Sequence, residues 1–301
     1  MDQRPPVSAY AAALGMTVAF GLSFVATKYA LRGFAPMLVA LLRFTVAGGL
    51  LWAVWRRRPG RERVTRAELG RLAVLGFVSL TLYFALETNG LARTSASKAS
   101  LIIATIPIFV AVLGALVLGE HAGRRRWMGI ALSFAGVAGL VVLNGGGGGG
   151  STAGDLLVLG AALTAAVYNL MARRLLLTRS ALYVTAFQNL FGALFMLPIA
   201  LGEALLAGVR TPTSEAVAGV LYLSVFSSLL AYLLINYAFR FLESSRVAVF
   251  VNLIPVVAIG AAYALLGERF TAWQAVAAVV VMLGVWVANT GRGVREGAPA
   301  A

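Results

Sequence analysis

Long apolar runs without charged residues recur along this chain, and they restrict what it can fold into. The runs at 99–119, 179–202 and 247–267 contain no charged residue between their ends. Since about 20 consecutive apolar residues cross the hydrocarbon core of a bilayer as a helix, each run predicts a transmembrane helix. The composition agrees, because 60% of the residues are hydrophobic and only 12% are charged, against roughly 25% charged in soluble domains.

Further runs bring the predicted number of transmembrane helices to ten. The weakest is the second, because Arg43 lies near its middle. The first begins a few residues from Met1, but it is too long for the apolar region of a signal peptide and is expected to be retained. The predicted helices cover residues 8–31, 35–55, 71–90, 96–118, 127–144, 154–172, 180–202, 215–239, 246–267 and 271–290. The sequence thus predicts an all-α integral membrane protein with short loops.

The basic residues indicate the orientation of these helices. If the N-terminus is cytoplasmic, 18 of the 25 lysine and arginine residues fall in segments on the cytoplasmic side, as the positive-inside rule requires. We therefore expect a multi-pass protein of the inner cell membrane with both termini in the cytoplasm. The excess of lysine and arginine in the cytoplasmic segments also accounts for the net charge of +14. No aromatic residues interleave the arginines, so no nucleic-acid partner is predicted.

The two halves of the chain repeat one pattern. At a spacing of 148 residues, Ile-Pro recurs at 106–107 and 254–255, and Leu-Gly-Glu recurs at 118–120 and 266–268. Each half contains five predicted helices, an odd number, so the second half must cross the membrane in the opposite sense to the first. Such inverted repeats are typical of transporters in which two halves move around a central site.

Six consecutive glycines at 145–150 lie between the halves. A phosphate-binding loop would need a lysine before its serine or threonine, but Gly150 precedes Ser151. A slack connector between the repeats explains the run better, with a ligand-binding loop as the alternative. The predicted units are a first five-helix repeat at 1–144, an extracellular connector at 145–153 and a second five-helix repeat at 154–301.

The repeated pattern is similar to that of a known family. Each half carries a proline in its fourth helix, a Gly-Glu pair at the end of that helix and a glycine in its fifth, and the first half has Arg43-Phe44 in its second helix. In these features nearly the whole chain resembles the EamA family of the drug/metabolite transporter (DMT) superfamily. The second half departs from the pattern at Gln188 and Asn189, so the role of Arg43 need not be duplicated.

The resemblance implies a secondary transporter that moves small organic solutes by alternating access, without an ATPase domain or a cofactor. In length and layout the chain is most similar to exporters of amino acids, in particular large apolar or aromatic ones. The implied partners are a small-molecule substrate, either an amino acid or a related metabolite, and the lipid bilayer. The protein would be a monomer or a homodimer.

Polar side chains within the predicted helices are the candidate substrate-binding residues, because each is costly in contact with lipid. Several recur at the spacing of one helix face. The candidates are Ser23, Thr27, Arg43, Tyr83, Glu87, Tyr168, Asn169, Tyr232 and Asn236. Each tyrosine has an alternative role at the membrane interface or in packing.

Arg43 and Glu87 are the most specific pair among these candidates. An arginine near the bilayer centre costs about 2.5 to 3.5 kcal/mol on insertion scales, so it should face the protein interior and have a partner. In one interpretation the two charges hold a zwitterionic solute or close the outer mouth of a cavity. In the other, Arg43 fixes its helix to neighbouring helices. Because Glu87 lies toward the outer end of its helix, direct contact requires the Arg43 side chain to extend outward.

Pro107 and Pro255 lie within predicted helices, where each removes a backbone hydrogen bond and leaves the carbonyl four residues earlier without its donor. Lipid cannot satisfy such a carbonyl. We therefore expect both prolines to kink helices that line a cavity, with Asn252 close enough to satisfy freed backbone near Pro255. A static bend without a role in motion is the alternative.

A membrane-embedded enzyme acting on a lipid-type substrate and a non-transporting scaffold are the alternative functions. An enzyme would need an acid, a base, a nucleophile or metal ligands converging at one depth. The chain has no cysteine, its one histidine is His121 at the end of a predicted helix, and its aspartates are Asp2 and Asp155. No catalytic or metal-binding residue is therefore predicted, and a transporter is favoured.

Overall fold

The computed structural model describes residues 6–59, 64–118, 123–142, 150–176, 178–207, 211–242, 244–269 and 271–289. Helices make up nearly all of these residues, which confirms the predicted all-α fold. The first half contains α1 (Val7–Ala30), α2 (Pro36–Arg57), α3 (Arg66–Gly76, a π-helical segment Phe77–Leu82, then Tyr83–Arg93), α4a (Ala96–Ile103), α4b (Ile106–Leu118) and α5 (Arg124–Val142). The second contains α6 (Thr152–Leu176), α7 (Ala181–Ala207), α8 (Ser214–Tyr222, a π-helical segment Leu223–Leu230, then Ala231–Phe241), α9a (Ser244–Asn252), α9b (Ile254–Leu266) and α10 (Ala272–Asn289).

Eight helices in the described part are long and apolar enough to cross a membrane, namely α1 to α4 and α6 to α9. Helix α10 contributes a shorter apolar stretch, Ala272–Ala288, and α5 begins with three arginines. Large apolar side chains such as Leu194 and Trp286 are exposed on the outer surface, as contact with lipid requires. The chain is therefore a multi-pass membrane protein, while ten crossings and inverted repeats remain predictions.

Contacts between helix ends fall into two groups. At what we call the linker end, the start of α6 lies beside the junction of α3 and α4a, where the Ser151 N–H donates to the Arg93 carbonyl (2.8 Å). At the terminal end, the start of α1 lies beside the end of α8, where the hydroxyl oxygens of Ser8 and Tyr237 are 3.0 Å apart. These two contacts define the opposite ends of the helix bundle.

A buried ion pair reinforces the linker end. Lys98 of α4a and Asp155 of α6 are 1% and 0% exposed, and Nζ lies 3.6 Å from Oδ2. The Thr94 hydroxyl donates to the same carboxylate. Because removing one partner of a buried pair leaves an uncompensated charge, this contact ties α4a firmly to α6.

A carboxylate also caps α4a at the linker end. Glu268, which follows α9b, accepts hydrogen bonds from the backbone N–H groups of Ala96 (2.8 Å) and Ser97 (3.1 Å) and from the Ser97 hydroxyl (2.7 Å). The first N–H groups of a helix have no partner within the helix, and a negative charge there is stabilising. The cap therefore connects the end of α9b to the start of α4a.

The glycine run is described only at its last residue, since 143–149 lie outside the described residues. Gly150 has a φ of +139° and forms an isolated β-bridge with Thr94. This conformation is one that glycine adopts readily and other residues do not. Helix α6 begins at Thr152, inside the connector predicted at 145–153, because Ser151 is already held by Arg93.

Helices of the first half pack mainly on helices of the second. Helix α1 lies against α8 and α9b, α6 lies against α3 and α4, α2 packs along α7, and α5 packs along α10. The α5–α10 contact is the closest. A Cβ atom added at Gly129 would lie 2.4 Å from the Ala288 backbone nitrogen, and one at Gly284 would lie 2.4 Å from the Ser133 backbone nitrogen. Small residues thus allow the two backbones to touch.

The fourth and ninth helices are each interrupted just before a proline. Pro107 and Pro255 are the second residues of α4b and α9b. At the interruption in the ninth helix, the Thr17 hydroxyl of α1 donates to the Phe250 carbonyl (2.9 Å). Asn252, expected to satisfy the backbone freed by Pro255, is the last residue of α9a, and its role stays a prediction.

Replacing Gly284 with alanine should separate α5 from α10, because the new methyl group has no room against the Ser133 backbone. We expect a loss of about 1 to 3 kcal/mol in the free energy of unfolding, as for other overpacked sites, measured as a lower thermal unfolding temperature in detergent. Gly260→Ala is the matched control, since nothing lies within 4 Å of its added Cβ. Equal stability of the two variants would contradict close backbone contact.

Candidate functional site

Arg43 lies in the middle of α2 and is only 7% exposed. Its Nε donates to the Ser228 hydroxyl oxygen (2.5 Å) and its Nη2 donates to that of Ser227 (2.8 Å). Neither bond involves Nη1. Because a buried guanidinium needs acceptors for its N–H groups, the two serines hold this charge in place and join α2 to α8.

Both serines belong to the π-helical segment Leu223–Leu230 of α8. Such segments are rare and occur frequently at functional sites. Helix α3 has the other described one, Phe77–Leu82, and its Ser79 hydroxyl accepts a hydrogen bond from Gln188 Nε2 of α7 (2.7 Å). A polar side chain of α2 thus contacts the π-helical segment of α8, and a polar side chain of α7 contacts that of α3.

Two phenylalanine rings cover the guanidinium. Arg43 Cζ lies 5.1 Å from the ring centre of Phe44 and 4.9 Å from that of Phe84. The Phe84 ring in turn packs edge-on against Tyr83, with centroids 4.6 Å apart. A cation over an aromatic face is attracted by the ring quadrupole. The charge therefore lies against an aromatic wall.

Four predicted residues surround this charge at longer range. The side chains of Glu87, Tyr83 and Tyr232 lie near the Arg43 guanidinium. The Tyr168 side chain lies near those of Tyr83 and Tyr232. These five residues come from α2, α3, α6 and α8, so polar side chains from four helices converge on one region, which we call the central cluster.

Glu87 is 7% exposed, and within the described residues its carboxylate accepts one hydrogen bond, from the Thr88 hydroxyl (3.3 Å). No ion pair joins it to Arg43 in this part of the chain, because the guanidinium reaches across to α8 rather than outward along α2. A carboxylate and a guanidinium thus face the same region without neutralising each other by direct contact.

Three other candidates, Ser23, Thr27 and Asn169, are not among the residues of this cluster. The hydroxyls of Ser23 and Thr27 donate to carbonyls of their own helix at 2.6 and 2.8 Å. Asn169 is exposed, and its amide donates to a carbonyl one turn earlier (2.8 Å). The side chain of Asn236 lies outside the described residues. The role of these four residues remains a prediction.

Sequence analysis did not select Ser227 or Phe84, although both contact Arg43. The spacing of an α-helical face selected Tyr232 on α8, and Ser227 does not lie on that face. A π-helical segment changes the rotation per residue, which α-helical spacing does not anticipate. The available signal was the pair of adjacent serines within an otherwise apolar helix.

A cavity of about 700 Å³ opens at the terminal end between α3 and α6. Glu68 and Arg71 of α3 and Met171 of α6 are among its lining residues. Tyr168 precedes Met171 by about one helical turn. The cavity therefore extends from the terminal end toward the central cluster.

Comparison with known proteins identifies the family. The model of the EamA-like transporter family matches residues 7–142 and again residues 152–290. The chain belongs to the EamA-like transporter family. An uncharacterized transporter of Archaeoglobus fulgidus is 34% identical over 273 residues, which cover 88% of this chain and 91% of that protein. The predicted family and the predicted transporter function are confirmed.

Two similar members have more specific names. A probable terminal-alkyne amino-acid exporter of Streptantibioticus cattleyicolor is 30% identical over 251 residues, 83% of each chain. A probable amino-acid metabolite efflux pump of Salmonella typhimurium is 29% identical over 292 residues, 94% of this chain and 95% of that one. A solved crystal structure with 19% identity shares the fold, with a TM-score of 0.65 over 94% of this chain and 98% of the other.

Replacing Ser227 and Ser228 together with alanine should leave the Arg43 guanidinium without its acceptors. An unsatisfied buried group costs about 1 to 3 kcal/mol and more when charged, so the unfolding temperature in detergent should fall clearly. Ser224→Ala is the matched control, because the Ser224 hydroxyl donates to a carbonyl of its own helix. Adding Arg43→Leu to the double variant should restore the unfolding temperature. If the triple variant unfolds as early as the double variant, the two serines do not act by satisfying the guanidinium.

Proposed function

We propose that this transporter exports zwitterionic amino acids with large apolar or aromatic side chains, or related metabolites, across the inner membrane by alternating access. The observation that carries the proposal is the separation of Arg43 and Glu87 within the central cluster. Arg43 Nη1, which takes no part in the bonds to α8, would donate to the substrate carboxylate. Glu87 would accept a hydrogen bond from the substrate ammonium group. The two charged groups of the ligand would thus neutralise Arg43 and Glu87, which do not pair with each other.

The tyrosines of the cluster favour an apolar or aromatic substrate side chain. Tyr232 is 40% exposed, and its ring packs edge-on against Phe20 of α1, with centroids 5.6 Å apart. Tyrosine offers a large apolar surface together with a hydroxyl, so Tyr83, Tyr168 and Tyr232 can contact both parts of such a ligand. The names of the exporter and the efflux pump among the relatives agree with an amino-acid substrate.

We further propose ten membrane crossings arranged as two inverted repeats, 1–144 and 154–301. The two matches to the family model fall one in each half. The helix contacts support the arrangement, because α1 lies against α8 and α9b in the same way as α6 lies against α3 and α4. Five crossings in each half would reverse the direction of the second relative to the first.

The terminal end would face the cytoplasm, with both termini there and the glycine connector outside. Arginines concentrate at this end, as the positive-inside rule requires. They include Arg56, Arg57, Arg66, Arg71, Arg124, Arg125, Arg126 and Arg179. The cavity between α3 and α6 would then be a cytoplasmic entrance to the central cluster.

The interruptions before Pro107 and Pro255 would allow α4 and α9 to bend when the halves move. Helices that lack a continuous hydrogen-bond ladder bend at the missing bond. Ser23, Thr27 and Asn236 stay candidates for substrate contact in another conformation. Asn169, whose amide donates to a carbonyl of its own helix, stays a candidate on the same terms.

The substrate class can be tested by counterflow of radiolabelled phenylalanine in liposomes that contain the purified protein. Glu87→Gln should lower the uptake rate about tenfold or more, as the loss of a hydrogen bond to a charged group implies. Glu203→Gln is the matched control, since Glu203 accepts a hydrogen bond from the Met37 N–H at the linker end, away from the cluster.

Two phenylalanine analogues sharpen this test. Phenethylamine lacks the carboxylate and 3-phenylpropionate lacks the amine, so each should compete weakly for uptake, whereas other large apolar amino acids should compete strongly. Full competition by both analogues would exclude recognition of a zwitterion. Unchanged uptake by Glu87→Gln protein of normal stability would exclude Glu87.

The orientation can be tested with a cysteine at Ser151, because the chain contains no cysteine. Ser151→Cys should react with a membrane-impermeant thiol reagent in intact cells, since residue 151 is exposed at the linker end. A cysteine at the exposed Arg66 of the terminal end should react only after the cells are opened. The reverse pattern would contradict the proposed orientation.

A further inference from the structure

Two ion pairs join the halves of the chain at opposite ends of the bundle. At the linker end, Arg32 in the turn after α1 contacts Glu215 in the first turn of α8, with Nη1 and Oε2 3.0 Å apart. At the terminal end, Arg179 in the turn after α6 contacts Glu68 in the first turn of α3, with Nη2 and Oε1 2.6 Å apart. Each pair therefore combines an arginine from one half with a glutamate from the other.

The two pairs occupy similar positions, one residue off the 148-residue repeat. Arg32 and Arg179 are 147 residues apart, and so are Glu68 and Glu215. Each glutamate lies just after a threonine that caps its helix, Thr65 in α3 and Thr213 in α8. The correspondence is reciprocal, as in a contact across a two-fold axis, where residue i meets j and j meets i.

Each ion pair bridges two helices that are already joined at their other ends. Helices α3 and α6 are held together at the linker end by the Arg93–Ser151 hydrogen bond, and Arg179–Glu68 bridges them at the terminal end. Helices α1 and α8 are held at the terminal end by Ser8 and Tyr237, and Arg32–Glu215 bridges them at the linker end. Loss of Arg179–Glu68 would let α3 and α6 separate at the terminal end. At the linker end the backbones of α1 and α8 also pack closely at Gly219, so loss of Arg32–Glu215 would free that end less.

The two pairs differ in strength. Glu68 uses both oxygens, since Oε1 accepts from Arg179 Nε (2.6 Å) and Oε2 accepts from the Thr65 N–H and hydroxyl (3.2 and 2.8 Å). The side chains of Arg179 and Glu68 are 23% and 16% exposed. Those of Arg32 and Glu215 are 50% and 60% exposed and share a single hydrogen bond. Charge-assisted bonds that are shielded from water are the stronger ones.

The terminal-end pair also borders the path to the central cluster. Glu68 and Thr178, the residue before Arg179, both line the cavity between α3 and α6. Separation of α3 from α6 at this end would widen that cavity. By correspondence, separation of α1 from α8 would open the linker end.

We propose that Arg179–Glu68 and Arg32–Glu215 are reciprocal gates that determine which side of the membrane the central cluster opens to. Both pairs are formed in this structure, where the cavity between α3 and α6 is only a vestibule. Full opening of one end to the central cluster would break the pair there while the other pair stays intact. This inference rests on the inverted repeats and the central site of the proposed function. It adds four residues that would control access without contacting the substrate.

A cysteine at Tyr168, a residue of the central cluster, can report access from each side. The measurement is the rate at which Tyr168→Cys reacts with an impermeant thiol reagent in right-side-out and in inside-out vesicles. Arg179→Gln should raise the rate from the terminal side and lower it from the linker side. Arg32→Gln should do the opposite, by roughly two- to fivefold for a pair this exposed, and the effect of Arg179→Gln should be larger.

Matched controls remove one charge at each end without touching a gate. Arg66→Gln serves the terminal end and Arg269→Gln the linker end, since both residues are exposed. Neither should change the rates. Exchange of the two charges in Arg179→Glu with Glu68→Arg should return the rates toward those of the parent protein, which separates loss of the pair from general damage.

The outcomes distinguish this inference from the proposed function. Shifts in the same direction in both gate variants, or none larger than in the controls, would overturn the gates. If the two gate variants shift the reaction rates in opposite directions, but each from the side of the membrane opposite to the one expected, the gates are supported and the proposed orientation is wrong. Opposite shifts in a protein that takes up no phenylalanine would support the gates and contradict the proposed substrate.

Discussion

The buried guanidinium of Arg43 imposes the strictest demand on this structure. It keeps its charge in any environment found inside a protein, and each of its N–H groups needs an acceptor. Ser227 and Ser228 meet part of that demand from α8, and the rings of Phe44 and Phe84 cover its faces. These contacts fix α2 against α8 in the middle of the bundle. The tyrosines and the carboxylate of the central cluster are then arranged around a charge whose position is already set.

The two halves use the same contact with different chemistry. Arg43 of α2 binds the π-helical segment of α8, whereas Gln188 of α7 binds that of α3 through Ser79. The geometry is repeated, but the positive charge is not. In the proposed site, a substrate with one carboxylate would therefore meet a single position for it. The difference between Arg43 and Gln188 would give the two proposed repeats one preferred orientation of their ligand.

Sequence patterns predicted the helices, the interruptions at Pro107 and Pro255 and much of the central cluster, because all of these follow from hydrophobic length, proline chemistry and α-helical spacing. These patterns did not predict contacts that depend on how far a helix turns about its axis per residue. Tyr83 and Tyr232 are 149 residues apart, one more than the 148-residue repeat, as one residue inserted in a loop would explain.

The structure locates this mismatch elsewhere. The caps Thr65 and Thr213 are 148 residues apart, and so are the helix ends Arg93 and Phe241. No residue is therefore inserted in a loop. The π-helical segments have six and eight residues, and this difference changes which side chains face the cluster. Hydrophobic periodicity carries no information about such a segment, nor about the hydrogen bond from the Thr17 hydroxyl to the Phe250 carbonyl.

The contact between α5 and α10 has a mechanical consequence. At Gly129 and Gly284 the two backbones touch with no side chain between them, so any shift of one helix against the other acts directly on the main chains. Packed helices elsewhere can shift when their side chains change rotamer. Glycine has no side chain, so this adjustment does not exist at Gly129 and Gly284. Helices α5 and α10 would then stay together as one unit while the other helices move relative to them.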